Sequence, residues 1–439
     1  MALFNYSRLR VSEYAGIASV QFLLFFRRLI IYTFLAIYLR VVIGLSTTET
    51  SLLSAIGMIV SSIAQPFLWG RLLDRWKISG SMFVAIGEII AGLGHIFMFL
   101  WHKATLETGN IRLAGFVIII SLGFIELPWS MSNVGWSTLI SEKTEEEERT
   151  KLMGQLSVVG GIGGIIGAYL GGQLYIGGLG FSSGVLFFVA AIVMFGSGII
   201  VFFSVKRGES LKHDRNYSGT MITTITSLSE LPSNVTKTFV ILLGSLAFFF
   251  FGLNSVVFTA IFYIVDPNAF NASDQQVALY RNVWSIFQII GGIFLGIVSY
   301  RIKDTKILLF GIVIGSLALF WLPFAPNYNI ALVTPGLYGL SFVLGRSASY
   351  SVVAKIIPPD FRGRLFGYYN SVFFLSWGLG GTVLGGPVAD YFISRGYSAA
   401  EAYRVSFFAA GGLVIFGLIM MLYAIKLIGS LEIATEKRS

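Results

Sequence analysis

The chain has 439 residues, of which 55% are hydrophobic and only 12% charged, with a mean hydropathy of +0.78 and a formal net charge of +9. An ordinary soluble domain carries about 25% charged residues, so this balance excludes a water-exposed globule and indicates a polytopic helical membrane protein. The absence of cysteine excludes disulfides and thiolate metal sites, and three histidines scattered at positions 95, 102 and 213 make no metal constellation.

Residues 1–12 and the apolar stretch from Tyr14 to Leu39 have the outline of a signal peptide. The stretch is too long for one, however, and no small-residue cleavage site follows, so it reads as a retained first helix. Further apolar runs occupy 49–69, 80–101, 113–140, 152–175, 181–204, 238–265, 276–299, 306–325, 329–356, 365–392 and 402–426. Each is long enough to cross a bilayer as a helix, which takes about 20 residues. The expected fold is therefore all-α, with twelve transmembrane helices.

The basic residues lie between these runs rather than in one domain, which points to topology and not to nucleic acid. With the N-terminus inside, the inner segments hold most of the 31 lysines and arginines, from Arg8 and Arg10 to Lys437 and Arg438. The outer segments hold only Arg40, Lys103, Arg112, Arg395 and Arg404. The positive-inside rule then places both termini in the cytoplasm, with the chain a multi-pass protein of the cell membrane. The longest polar segment divides it into an N-terminal six-helix bundle (1–205), a cytoplasmic linker (206–237) and a C-terminal six-helix bundle (238–439). Lys206, Arg207, Lys212 and Arg215 in the linker suit anionic lipid headgroups.

An internal repeat supports the division. The stretch ERTKLMGQLSVVGGIGGIIGAYLGG from Glu148 lies over FRGRLFGYYNSVFFLSWGLGGTVLG from Phe361 without a gap. Arg149 meets Arg362, Gly154 meets Gly367, Gly167 meets Gly380 and Gly172 meets Gly385. GRLLDRWK, from Gly70 after span two, has a counterpart in GIVSYRIK, from Gly296 after span eight. Two parallel halves with matching inner loops are the pattern of a transporter whose repeats are related about the membrane normal.

With these motifs the chain resembles a major facilitator superfamily transporter over essentially its whole length. GRLLDRWK resembles the family's loop signature of a glycine, an aspartate four residues on, and basic residues. Gly154, Gly163, Gly167, Gly171 and Gly172 resemble the gating glycine motif that the family's drug exporters carry in span five. Ala168 replaces that motif's proline, and Phe124 falls where proton-linked exporters have an arginine. By the resemblance, Gly70, Asp74, Arg75, Lys77, Glu142, Arg149, Gly296, Arg301 and Arg362 form a cytoplasmic latch. In it Asp74 sits against the positive end of a helix in the other half, and Arg75 or Lys77 pairs with Glu142. Such contacts bias the state closed on the cytoplasmic side.

The resemblance also implies that spans one, four, seven and ten line a central cavity. Ionisable groups inside spans are functional candidates because they are costly there. In span one Gln21, Arg28 and Tyr32 share a face, whereas Arg27 shares one with Leu24, Ile31 and Phe34, which makes Arg28 the expected cavity residue. Span four carries Glu126, Ser130, Asn133 and Ser137 as a stripe with Trp129 beside it. Span seven offers Asn254, span ten Arg346 with Ser349 and Tyr350, and span eight Arg281, Ser285 and Gln288. Asn370 in span eleven completes the expected set. Glu88 and His95, on scaffold span three, are expected to serve packing and internal hydrogen bonding.

Two transport readings follow. Glu126 as a proton carrier, with the span-five glycines, implies proton-coupled export of small organic or amphipathic compounds by alternating access. Arg28, Arg281 and Arg346 instead imply an organic anion bearing a carboxylate or phosphate, and the polar stripes would equally serve a sugar. A receptor that kept the fold and lost transport is a third reading. No nucleophile and base pair is visible, so no enzyme is expected. The expected partners are a small-molecule substrate, protons and membrane lipids, with the chain acting as a monomer and without cofactor or metal.

Overall fold

The computed structural model describes residues 9–69, 72, 78–144, 146–205, 232–298, 301–357 and 362–436. Twelve helices among them are long and apolar enough to cross a membrane. They are α1 (Val11–Ile37, continued by a π turn at Tyr38–Val42), α2 (Thr47–Ala64, continued by Gln65–Trp69), α3 (Gly80–Glu107), α4 (Ile111–Lys143), α5 (Glu146–Tyr175) and α6 (Val185–Ser204). Then come α7 (Ser233–Ser255, resumed as Val257–Val265), α8 (Asp274–Val298), α9 (Asp304–Phe324), α10 (Val333–Ile356), α11 (Arg362–Gly380, continued by Gly381–Gly385 and Gly386–Ser394) and α12 (Ala399–Glu436).

Local chemistry sets several boundaries. Ser46 Oγ accepts from the Glu49 N–H at 3.2 Å while Glu49 Oε2 accepts from the Ser46 N–H at 2.8 Å, a capping box that starts α2. Between α3 and α4 the chain turns through Gly109, at φ +80°, where a side chain would be strained. Asn110 then caps α4 by accepting from the Leu113 N–H at 3.0 Å. Two features go beyond the apolar runs. α7 breaks at Val256 (φ −113°, ψ 13°), and α12 continues to Glu436, well past the run ending at 426.

The chain divides into two compact units, Met1–His213 with Ala272–Ser285 as unit 1, and Asp214–Asn271 with Ile286–Ser439 as unit 2. The first part of α8 thus packs with unit 1. Within unit 1, α1 packs on α5 and α6, and α3 packs on α4 and α6. Within unit 2, α7 packs on α11 and α12, and α9 on α10 and α12, which is the same pairing advanced by six helices. The two halves are therefore pseudo-symmetric in packing as well as in sequence.

Lipid is as apolar as the side chains, so close packing rather than water exclusion holds such helices together. Glycine makes the approach possible. A methyl group at Gly163 or Gly167 of α5 would run into the carbonyl oxygens of Phe22 or Phe26 on α1, and one at Gly171 would lie 2.7 Å from the Phe34 ring. In unit 2, a methyl at Gly380 would lie 2.9 Å from the Ser255 nitrogen of α7, and one at Gly385 would meet the Ser255 carbonyl. Aromatic contacts close the far end of unit 1. Phe181 lies 5.3 Å from both Tyr38 and Phe187, and such pairs add about 0.5–1.5 kcal/mol each beyond their buried area. Large apolar side chains such as Phe203 and Phe324 stay exposed, as a lipid-facing surface requires.

Candidate functional site

Unit 1 contains a polar cluster inside its own helix bundle. Gly87 lets α3 approach α4, since a methyl there would lie 2.6 Å from the Pro128 carbonyl and 2.7 Å from the Ser132 nitrogen. The next residue, Glu88, is 4% exposed and accepts from Ser132 Oγ at 2.8 Å. Arg27 of α1, 1% exposed, lies with its guanidinium 4.9 Å over the Trp129 ring and donates through Nη1 to the Met194 sulfur at 3.2 Å. Its Nη2 has no partner among the described residues. The Arg27 charge lies within electrostatic range of both Glu88 and Glu126. His95 is fully buried and directs Nδ1 to the Ala91 carbonyl at 2.9 Å, with Nε2 left without a partner among the described residues.

Arg27 is therefore a residue that helical spacing missed. Its apolar sequence neighbours suggested a packing face, but that face points into a bundle whose interior carries Glu88 and Trp129. The joint signal of Glu88 and His95 on one face of α3 was the available clue. Arg28 and Tyr32 are half-buried next to each other on α1, and the Arg28 charge also acts on Glu126.

Glu126 itself, 6% exposed, faces α2. Its carboxyl lies 3.6 Å from where a Gly57 methyl would stand, with Ser61 beside it. Ser61 Oγ accepts from Gln65 Nε2 at 2.8 Å. Ser130, expected in a cavity, is fully buried, donates to the Leu127 carbonyl at 2.6 Å and accepts from Trp69 Nε1 at 2.9 Å. Its hydroxyl fastens α2 to α4, with its proton given to the Leu127 carbonyl. Trp129 and Asn133 are half-buried. Arg281, in the part of α8 that belongs to unit 1, lies 4.6 Å over the Trp284 ring, and Ser285 Oγ donates to its carbonyl at 3.3 Å. At the start of the same helix, Asp274 Oδ2 accepts from the Gly177 N–H at 3.0 Å, and Gly172 leaves room for the Asp274 carbonyl.

In unit 2, Arg346 of α10 is bracketed by aromatic rings, 3.8 Å from the Phe373 centroid and 5.0 Å from that of Tyr369. Nη2 makes a long 3.4 Å hydrogen bond to Asn370 Oδ1, and Nη1 has no partner among the described residues. Ser349 and Tyr369 share a 2.8 Å hydrogen bond between hydroxyls, and each lies within reach of the Arg346 carbonyl. Phe373 and Tyr369 were not singled out by sequence, because aromatic residues on an apolar helix carry no distinguishing signal. Asn254, 7% exposed, accepts from the Tyr338 hydroxyl at 3.3 Å. Gln288 is half-buried, and Tyr350 stays largely exposed with its ring 6.2 Å from that of Tyr369.

Of the expected latch, Gly70, Asp74, Arg75 and Lys77 lie outside the described residues, as do the side chains of Arg149 and Arg362 and the positions Gly154 and Gly296 within their helices. Arg301 is exposed, and Glu142 is half-buried at the end of α4. Three ion pairs at helix ends among the described residues were not foreseen, one of them between Arg112 at the start of α4 and Glu49 at the start of α2. Lys143 Nζ lies 2.6 Å from Glu13 Oε1 in a buried pair joining α4 to α1. Lys355 Nζ and Ser351 Oγ each donate to Asp304 Oδ2 at 2.6 Å, joining α10 to α9. Among the described residues no group of three or more His, Asp or Glu converges as a metal site.

The family model described as Major Facilitator Superfamily matches residues 17–381 and, in a second match, 245–431. No protein of curated function matches the chain by sequence. Among solved structures, the nucleoside transporter NupG superposes with a TM-score of 0.72 at 15% identity, covering 94% of this chain and 99% of that one. A bacterial homologue of the human lysosomal transporter Spinster gives 0.73 at 13% identity over 95% and 97%. A peptide transporter, POT, in complex with alafosfalin gives 0.66 at 15% identity over 94% of each chain. At these identities the likeness is one of fold. Twelve membrane-spanning helices, a pairing of helices repeated in two halves and a family match over most of the length lead to one conclusion: the chain belongs to the major facilitator superfamily.

Proposed function

We propose that the chain is a proton-coupled secondary transporter of the cell membrane that exports small organic or amphipathic compounds by alternating access, acting as a monomer with both termini in the cytoplasm. The observation that carries this reading is Glu126, a membrane-embedded carboxyl held against Gly57 and Ser61 of α2 within range of two arginine charges. A buried acid in that setting can exist neutral or charged, and its two states interact differently with the neighbouring guanidiniums. The α5 glycines that seat α1 support the exporter assignment. Asp74, Arg75, Lys77 and Glu142 would serve as the latch of the state closed on the cytoplasmic side.

The test uses purified protein in proteoliposomes with an imposed pH gradient and a panel of organic cations, anions, sugars and lipids. Glu126→Gln keeps the shape and removes the titratable proton, so gradient-driven accumulation should vanish while counterflow exchange of the same compound persists. Accumulation at the wild-type level would refute coupling through Glu126.

A second reading, transport of an organic anion, is favoured by Arg346. Its Nη1 is unpartnered among the described residues, no carboxylate pairs with it there, and the Phe373 and Tyr369 rings lie 3.8 and 5.0 Å from the guanidinium carbon. A planar fork so placed matches a carboxylate or phosphate.

A further inference from the structure

Glu88 sits in unit 1 with one hydrogen bond from Ser132, the Trp129 indole beside it and no lysine or arginine at ion-pair distance among the described residues. A carboxylate buried to that degree with so little compensation is costly, whereas a neutral carboxyl brings no charge that must be compensated. Arg27 is undercompensated in the complementary sense, with the Trp129 ring and a thioether on Nη1 as its neutral partners and none on Nη2 among the described residues. Its charge nevertheless acts on both Glu88 and Glu126. An arginine within electrostatic range of two buried acids and paired with neither is the arrangement expected when both acids carry protons.

We infer that Glu88 is a second proton-binding carboxyl of unit 1, and that Arg27 is the counter-ion shared between it and Glu126. The inference rests on the proton-coupled reading of Glu126. When either acid releases its proton, Arg27 turns to that carboxylate and the other acid, deprived of its counter-ion, keeps its proton. The two sites then titrate as a coupled pair rather than independently. The surroundings make the pair unequal. Arg28 and Ser61 act on Glu126, Ser132 and Trp129 act on Glu88, His95 of the same α3 lies within range of the Arg27 charge, Tyr32 of α1 lies within range of both acids, and α6 contributes the uncharged Met194.

Infrared difference spectroscopy of the purified protein in lipid vesicles, recorded across a pH titration, tests the assignment without needing a substrate. The wild type should show two protonated-carboxyl bands, one lost in Glu88→Gln and the other in Glu126→Gln. In Glu88→Gln, Arg27 serves Glu126 alone, so the remaining band should titrate at lower pH than in the wild type. Glutamine can still accept the Ser132 hydrogen bond; should that variant nonetheless fail to fold, Ser132→Ala keeps Glu88, removes its donor and should move release from Glu88 to higher pH. No protonated band lost in Glu88→Gln, or no movement of the Glu88 band in Ser132→Ala, overturns the inference. If the Glu126 band titrates while Glu88 is silent, only this inference falls. If Glu126→Gln removes no titrating band and leaves proton-driven accumulation intact, the underlying reading falls with it.

Discussion

Replacing Lys143 by methionine should destabilise unit 1 more than any surface substitution. The Lys143 ammonium lies 2.6 Å from Glu13 Oε1, and the two side chains are only 10% and 4% exposed. The other Glu13 oxygen accepts from the Arg10 N–H at 3.1 Å, so this one carboxylate both caps α1 and ties it to the end of α4. Truncating one partner of a buried pair leaves an uncompensated charge and costs about 3–5 kcal/mol. At roughly 2–4 °C per kcal/mol for a unit of about 150–250 residues, the midpoint should fall by about 6–20 °C. Thermal unfolding in detergent, followed by tryptophan fluorescence and by the monodisperse fraction in size exclusion, reads this directly. Combining Glu13→Leu with Lys143→Met removes both charges and should restore most of the loss, because a well-packed apolar pair avoids the desolvation cost altogether. A single Lys143→Met variant that melts within a degree or two of wild type would show that the pair is solvated. A double variant as unstable as the worse single one would show that packing, not charge, is at stake.

Other outcomes follow from the same geometry. Gly167→Leu should push α5 off the Phe26 carbonyl and lower stability by about 1–3 kcal/mol or more, whereas Gly292→Ala, with open space around the added methyl, should be near neutral in the same melt. Asp74→Asn should slow turnover and favour the inward-open state while the protein stays folded, and a wild-type rate across pH and salt would end the latch reading. Arg346→Gln should weaken binding of an organic anion roughly thirtyfold or more, with Arg346→Lys recovering only part, as titration calorimetry would show. Binding of every tested anion at wild-type affinity in both variants would make Arg346 structural.

The twelve helices were legible because a membrane span is a property of length and apolarity alone, and neither depends on what packs against it. The correspondence of Gly167 with Gly380 was legible for a related reason, since an ungapped internal repeat marks residues that answer the same requirement twice, but that each seats a neighbouring helix came only with the packing. Arg27 was not. A helix inside a six-helix bundle has two interior directions, toward its own bundle and away from it, and periodicity separates polar from apolar faces without telling which is which. Glu13 and Lys143 escaped because their meeting depends on the relative axial position of α1 and α4, 130 positions apart in the chain. Ser130 was assigned to a polar stripe by spacing, yet the indole of Trp69 claims its hydroxyl, a partner that no intrahelical pattern predicts.

The placement of Ala272–Ser285 with unit 1 bears on how the protein is made. During synthesis α1 to α6 emerge and insert first, and the glycine seam between α1 and α5 can close among them. Yet Gly172 and the Gly177 N–H acquire their neighbour only when Asp274 arrives, after the linker has been synthesised and α7 inserted. An N-terminal fragment ending before α7 would thus leave the ribosome with one edge unfinished. Such a fragment should insert with correct topology but remain protease-sensitive around Gly177, and co-expression of the missing half should restore resistance there before it restores anything else.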